Sequence, residues 1–360
     1  MGAPLMRLLA ATQNFGFGPT SMLNRAFNLL PEGWQVDAYV PTHLVDVLDV
    51  RPQVSVTSAP LDATAIKGSY DAAIVACDYE LAAELRQVVA KVVVFDMLFW
   101  FWPELHPVIA EDILVVAQDF YGVRDRAADC ASVKVVGPLL PPVKVKPLEE
   151  RDNQIVVNLG GFTSPHHGRE AAIVYARVLL PTIRLLLDSP SQLLIMGGST
   201  ALEALGEVLP ECRPLIRLLP HDTARACIAR ASHYLTVPGL GSIYEPFLAG
   251  TPTFFLPPTN YSQALQLQAV VDRLGYPLVI CFPRIRSKFD EAEYISDLLS
   301  WYKARSQPLS QDLQKAVVSF LGSDIFSKYT AAAMGRGLVE NFGGPGEAAA
   351  RRALMSYLNG

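Results

Sequence analysis

At 360 residues the chain exceeds what one hydrophobic core usually serves, so two domains are expected. It is 51% hydrophobic and 18% charged with a net charge of −5, which supplies large cores and argues against nucleic acid as a partner. Its five cysteines (Cys77, Cys130, Cys212, Cys227 and Cys281) lack C-x-x-C spacing, and no apolar run reaches bilayer length; this reads as free thiols in a reducing cytoplasm, without zinc site, disulfide framework or transmembrane segment.

Leu5 to Ala11 is too short for a secretory leader and reads as a first strand. A glycine loop, Asn14 to Gly18, and a helix from about Ser21 to Leu30 follow. Val36 to Val40, Asp71 to Ala76, Lys91 to Phe95, Ile113 to Gln118 and Val133 to Val136 are further strand-length apolar runs, with a helical stretch from Tyr79 to Ala90. Their continuous rather than alternating hydrophobicity predicts strands covered on both faces, hence a parallel sheet with helices outside. Pro138, Pro141, Pro142 and Pro147 then break regular structure, which places a first domain over 1–140 and a linker over 141–152.

The second half starts again in the same style. Gln154 to Asn158 is a strand, Gly160-Gly161-Phe162-Thr163 a loop, and Arg169 to Leu187 a helix. Strand Gln192 to Met196 leads into Gly197-Gly198; Ile216 to Leu218 and His233 to Val237 are strands flanking a helix from His221 to Arg230. This second domain is expected over 153–306, with C-terminal helices over 307–360 (Ser310 to Leu321, Ile325 to Glu340 and a stretch from Gly346 to Leu358). Two such βα repeats predict an α/β protein of two doubly wound, Rossmann-like domains facing across a cleft. His166-His167 reads as a solvated loop rather than a metal site, because no carboxylate follows at ligand spacing.

The most informative stretch runs from Pro238 to Gly275. Gly239 and Gly241 let the backbone approach a ligand and aim N–H groups at it. Ser242 is expected to open a helix whose N-terminus suits a diphosphate. Glu245, one turn on, is placed to accept hydrogen bonds from vicinal hydroxyls such as those of a ribose. Gln263 and Gln266 offer amides to a polyhydroxylated ligand. An ordinary βα unit with turn glycines is the plain alternative.

The order of Gly239, Gly241, Ser242, Glu245, Gly250, Pro252, Pro257, Gln263 and Gln266 resembles the donor-binding signature of GT-B glycosyltransferases, among them natural-product and lipid-linked N-acetylglucosaminyl enzymes. The departure is Ser262-Gln263 and Gln266-Leu267, where those families carry an acidic residue or histidine before glutamine and then asparagine-alanine. The resemblance implies further donor contacts from Gly160, Gly161, Phe162 and Thr163 near the diphosphate, from Gly197, and from Leu219, Pro220 and His221 near the base. It also implies that one C-terminal helix crosses back to the first domain.

The first domain should hold the acceptor. Phe15, Gly16, Phe17 and Gly18 follow the first strand where relatives carry a loop, often with a base histidine; Thr20 falls near that histidine's place here. Hydroxyls are poor bases near neutral pH. Asp96 ends a strand beside the aromatic run that includes Trp100, and desolvation there would raise its pKa, so it is the candidate general base; His106 and Asp78 are alternatives, and Asp119 a weaker one. The string Asn14-Phe15-Gly16-Phe17-Gly18-Pro19 is similar to cytosylglucuronate synthase-type proteins of nucleoside-antibiotic pathways. An already nucleophilic heterocycle would need no strong base.

The expected function is inverting, metal-independent transfer of a sugar from a nucleoside diphosphate sugar, UDP-linked, to a small-molecule acceptor, with no resident cofactor or metal. A nucleotide-sugar hydrolase, a 2-epimerase and a catalytically silent binding protein stay open as alternatives. Oligomeric state is not fixed by the sequence, and a homodimer stays open.

Overall fold

The computed structural model describes residues 5–49, 51–66, 68–110, 112–140, 145–162, 168–276 and 290–360. Thr163, His166, His167 and Cys281, singled out above, lie outside the described residues, as does the segment 141–144 of the expected linker. The chain divides into two units, Met1–Pro142 with Phe342–Gly360, and Val143–Asn341.

Unit 1 contains β1 (Arg7–Thr12), α1 (Gly18–Leu29), β2 (Gln35–Tyr39), β3 (Val54–Thr57), β4 (Ala72–Ala76), α2 (Tyr79–Arg86), β5 (Val92–Asp96), β6 (Leu114–Gln118), α3 (Val123–Ala127) and β7 (Val133–Val136). Its seven strands are parallel in the order β3-β2-β1-β4-β5-β6-β7. β4, β5 and β6 are buried along their whole length, as continuous apolar runs require. The sequence reading passed over β3, whose Val-Ser-Val-Thr alternation is that of an edge strand paired only with β2. α1 starts at Gly18 rather than Ser21, with Pro19 in its first turn, where a missing N–H costs nothing.

Unit 2 contains β8 (Asp152–Asn158), α4 (Arg169–Leu187), β9 (Gln192–Met196), α5 (Ser199–Val208), β10 (Ile216–Arg217), α6 (His221–Arg230), β11 (Ala231–Thr236), α7 (Leu240–Leu248), β12 (Thr253–Phe255), α8 (Tyr261–Leu274), α9 (Glu291–Gly322) and most of α10 (Asp324–Phe342). Its five strands are parallel in the order β10-β9-β8-β11-β12. Arg151, in the expected linker, is a pin of this unit: its guanidinium donates to the carbonyls of Lys146, Ala229, Ala231 and Ala249 and to Thr251 Oγ1.

The helical tail differs from the sequence reading in its bounds. α9 begins at Glu291, capped by Asp290, and passes position 306 with only a kink at Arg305, three residues before the helix-breaking Pro308. α10 packs so closely on the end of α7 that a Cβ on Gly335 would overlap the Phe247 carbonyl. The chain then returns to unit 1 through α11 (Glu347–Asn359), which packs on β6 and β7. Glycine is required where it does so, because a Cβ on Gly137 or Gly346 would collide with the opposing backbone. Lys91 Nζ donates to the Leu358 carbonyl at 2.7 Å and the Tyr357 hydroxyl to that of Asp112 at 2.9 Å, which ties the last turns down.

Candidate functional site

Unit 2 reverses strand order between β8 and β11, so the loops after Asn158 and Thr236 leave the sheet side by side and diverge. Ligands of doubly wound sheets bind at such a point, outside the carboxyl ends of the strands. Asn158 closes β8, and its Oδ1 accepts the Gly160 N–H at 2.9 Å. Gly160 has φ +67, and a Cβ there would meet Val237 Cγ2 at 2.5 Å, so only glycine fits. Its carbonyl accepts the Gly198 N–H at 2.8 Å, which joins this loop to the one after β9, where Gly197 has φ +153. Phe162, a non-glycine residue in the left-handed region at φ 41, is buried against Tyr175.

Gly239 is different in kind. Its backbone is extended, with φ −170, and a Cβ would meet nothing within 4 Å, so the chain's own packing does not demand glycine there. The residue caps α7, which therefore opens at Leu240, with Ser242 inside its first turn rather than at its start. Among the described residues no side chain caps this terminus, and the leading N–H groups of a helix suit an anion.

Glu245, on α7, and His221, the first residue of α6, meet at 3.2 Å between Oε1 and Nε2, with their side chains only 10% and 17% exposed. The sequence reading placed both residues in the site without joining them. Leu219, half-buried, packs against the cluster of Val156, Met196, Ile228, Ala231 and Tyr234. Pro220 is exposed and caps α6. Gln263 spends its amide oxygen on the Thr259 N–H and hydroxyl at 2.8 and 3.0 Å, keeping its NH2 for other partners. Gln266 is 3% exposed, and its Oε1 has no hydrogen-bond partner among the described residues.

Sequence reasoning missed Tyr234, a wholly buried residue of β11 whose hydroxyl accepts from Asn158 Nδ2 at 2.7 Å. It also left Asn158 as a plain strand end. The signal available was polarity: an Asn ending a Gln-Ile-Val-Val run and a Tyr inside a core strand each need a partner.

In unit 1 the strand ends are closed rather than open. Asp96 is the last residue of β5 and is fully buried; its carboxylate accepts from the Leu98 N–H at 2.6 Å, the Tyr79 hydroxyl at 2.8 Å and Trp102 Nε1 at 3.3 Å. Burial raises its pKa as expected, against the opposing pull of those hydrogen bonds. The Asp96 carboxylate has no exposed surface and is bound by three donors, an arrangement that holds the strand end together. The alternatives are equally engaged. Asp78 caps α2 by accepting the Leu81 N–H at 3.0 Å, and His106 stacks on Tyr79, accepts the Val108 N–H at Nδ1 and faces Glu80 at 3.2 Å. Asp119 is paired with Arg124 at 2.6 Å.

Phe15, Gly16, Phe17 and Gly18 form the partly exposed loop into α1, with Gly16 at φ 55. A Cβ on Gly18 would press on Met97 Sδ at 3.0 Å, which brings this loop against the residue after Asp96. Trp100 is half-buried; its indole donates to the Met97 carbonyl, and its ring meets those of Phe101 and Phe120. Thr20, near the place of the absent histidine, is buried, and its hydroxyl has no hydrogen-bond partner.

No protein-family model matches the chain, and no curated protein matches it. The fold is that of the GT-B class, with two parallel sheets flanked by helices. The calicheamicin glycosyltransferase CalG4 is similar over 99% of both chains, at 14% identity and a TM-score of 0.53. LpCGTa in complex with UDP is similar over 99% of this chain and 100% of its own, at 13% identity and a TM-score of 0.53. A UDP-glucose:anthocyanidin 3-O-glucosyltransferase in complex with UDP is similar over 99% of both chains, at 11% identity and a TM-score of 0.50. Among the described residues, no helix is long and apolar enough to cross a membrane.

Proposed function

We propose that the protein is a glycosyltransferase that moves a sugar from a UDP-linked donor to a small-molecule acceptor, with inversion and without a metal. The observation that carries this is the switch point of unit 2, where Glu245, held by His221, stands one turn into a helix whose leading N–H groups no described side chain caps. A carboxylate so placed accepts hydrogen bonds from the vicinal hydroxyls of a ribose, and the helix start and glycine loop supply donors for a diphosphate. Support comes from structures of the same fold, two of which are complexes with UDP and one of which is a calicheamicin glycosyltransferase.

In this reading the bond between the anomeric carbon and the diphosphate oxygen breaks as the acceptor atom attacks from the opposite face. The leaving charge is met by backbone N–H groups and by the start of α7, fixed before reaction and therefore effective. The sequence offers no D-x-D motif for a divalent ion. Asp96 organises the strand end through Tyr79, Leu98 and Trp102 instead of accepting the proton. The acceptor is then a self-sufficient nucleophile, such as the nitrogen of a heterocycle, whose proton passes to water.

Incubating the protein with UDP and dTDP sugars, with and without an acceptor extract and with chelator throughout, tests this. Free nucleotide only when acceptor is present supports transfer. Release without acceptor identifies a hydrolase, a new diphosphate sugar an epimerase, and binding without turnover a silent protein. Activity lost in chelator and restored by magnesium would overturn the metal-independent step.

A further inference from the structure

Tyr234 sits in the middle of β11, where an aliphatic or phenylalanine side chain would fill the core equally well. Its hydroxyl is instead part of a polar line that runs under the candidate donor loops. Asn158 Nδ2 donates to it at 2.7 Å, and the Oδ1 of the same amide accepts the Gly160 N–H at 2.9 Å. Asn158 is thus used as donor and acceptor at once, holding the Gly160 turn at φ +67. Having accepted from Asn158, the phenol keeps its own proton to donate. Burial, with a smaller contribution from the Glu245 charge and against the Thr236, Asn158 and Ser242 side chains, leaves the phenol pushed up to about 12. The Asn158 carbonyl also accepts the Val237 N–H at 3.1 Å, three residues before α7 opens, so the line links the turn after β8 to the segment that leads into α7.

We propose that Tyr234 and Asn158 are positioning residues that fix the spacing between the Gly160 turn and the start of α7, so that the N–H groups of both meet the two phosphates of a nucleoside diphosphate. This rests on the nucleotide-sugar reading of the same site. A polar pair in a core is worth keeping only if both members are satisfied and the arrangement it specifies matters. Here the arrangement specified is that of two backbone segments, each sensitive to shifts of about 1 Å.

The test separates phosphate recognition from fold. UDP and uridine binding to the full chain are measured by calorimetry for the wild type, Tyr234→Phe, Asn158→Ala and the double variant. UDP affinity should fall about 10-fold in each single variant while uridine affinity stays unchanged. The double variant should lose little more than either one, because both cut the same line. Unchanged UDP affinity in a folded Tyr234→Phe protein, or equal losses for UDP and uridine, would overturn the positioning role. If Tyr234→Phe does not fold, Asn158→Ala alone decides by the same two ligands. A wild type that binds neither UDP nor uridine overturns the donor reading and this inference with it, whereas a wild type that binds both with variants that match it overturns the inference alone.

Discussion

The carboxyl ends of the two sheets share a topology and differ in how they spend their polar groups. In unit 1, Asp96 is wrapped by three donors, Asp78 caps a helix and Asp119 holds Arg124, beside the rings of Trp100 and Phe120. In unit 2, Glu245 and His221 pair, largely buried, next to a helix start that no described side chain caps, and Gln263 holds Thr259 through its amide oxygen. The first arrangement spends its polar groups on the fold, and the second leaves polar groups near a helix start; under the proposed function a constant polar ligand such as a nucleotide suits the second.

The largest expected effect breaks the comparison at a glycine. Gly160→Ala forces a side chain into φ +67 and onto Val237, whereas Gly122→Ala in unit 1 meets no atom within 4 Å at φ +83. Urea unfolding should show a loss of about 2–4 kcal/mol for the first, strain plus overlap, against about 1 kcal/mol for the second, strain alone. Equal losses would mean that the Gly160 turn relaxes, and its claim to rigidity would go.

Glu245→Ala comes next. If the carboxylate reads ribose hydroxyls, UDP binding should weaken by about 1–3 kcal/mol, or about 5- to 150-fold, as for a hydrogen bond to a charged group. Calorimetry on a folded variant with unchanged affinity would reduce the His221–Glu245 pair to a structural contact.

Much of this was legible before the structure. Continuous apolar runs gave the strands of both sheets to within a residue or two, because strands buried on both faces have no other composition. β3 escaped because an edge strand with Ser55 and Thr57 lacks that run. The Gly160 turn and the start of α7 near Gly239 were legible because glycine and helix-start patterns are local. The state of Asp96 was not, since its three partners come from positions 79, 98 and 102, and only the fold brings Tyr79 to it. The link from Asn158 to Tyr234 was hidden for the same reason, being 76 residues long in sequence and 2.7 Å in space.

Two buried carboxyls sharpen the contrast through pH. Glu291, at the start of α9 in unit 2, accepts the Tyr261 N–H at 3.2 Å, while its Oε2 has no hydrogen-bond partner among the described residues. Burial raises its pKa from 4.5 to about 7, with Asp290 adding to the shift. A raised acid pKa means that the folded state holds the proton longer, so stability falls as pH rises from about 4.5 to about 7 and is level above that. Glu291→Gln should remove the slope and be more stable than wild type at pH 8 by about 2 kcal/mol. Parallel stability–pH curves for the two proteins would show that the carboxyl is solvated after all.

Asp96→Asn should have the smallest effect, and it bears most directly on the chemistry. Asn keeps an oxygen for the Leu98 N–H, and the Tyr79 hydroxyl can turn to accept from the new NH2, so only the long Trp102 bond loses its acceptor. Stability at neutral pH should therefore change by no more than about 1 kcal/mol. Because burial also raises the Asp96 pKa, wild-type stability should fall as pH climbs above the ordinary carboxylate range, and the variant should lack that component. Turnover should stay within about 3-fold of wild type, against the about 10²–10⁴-fold loss that removal of a general base brings. A folded variant with normal donor affinity and a thousandfold lower turnover would restore Asp96 as the base. It would also require its shell of Tyr79, Leu98 and Trp102 to open when acceptor binds, which would make unit 1 as polar in action as unit 2.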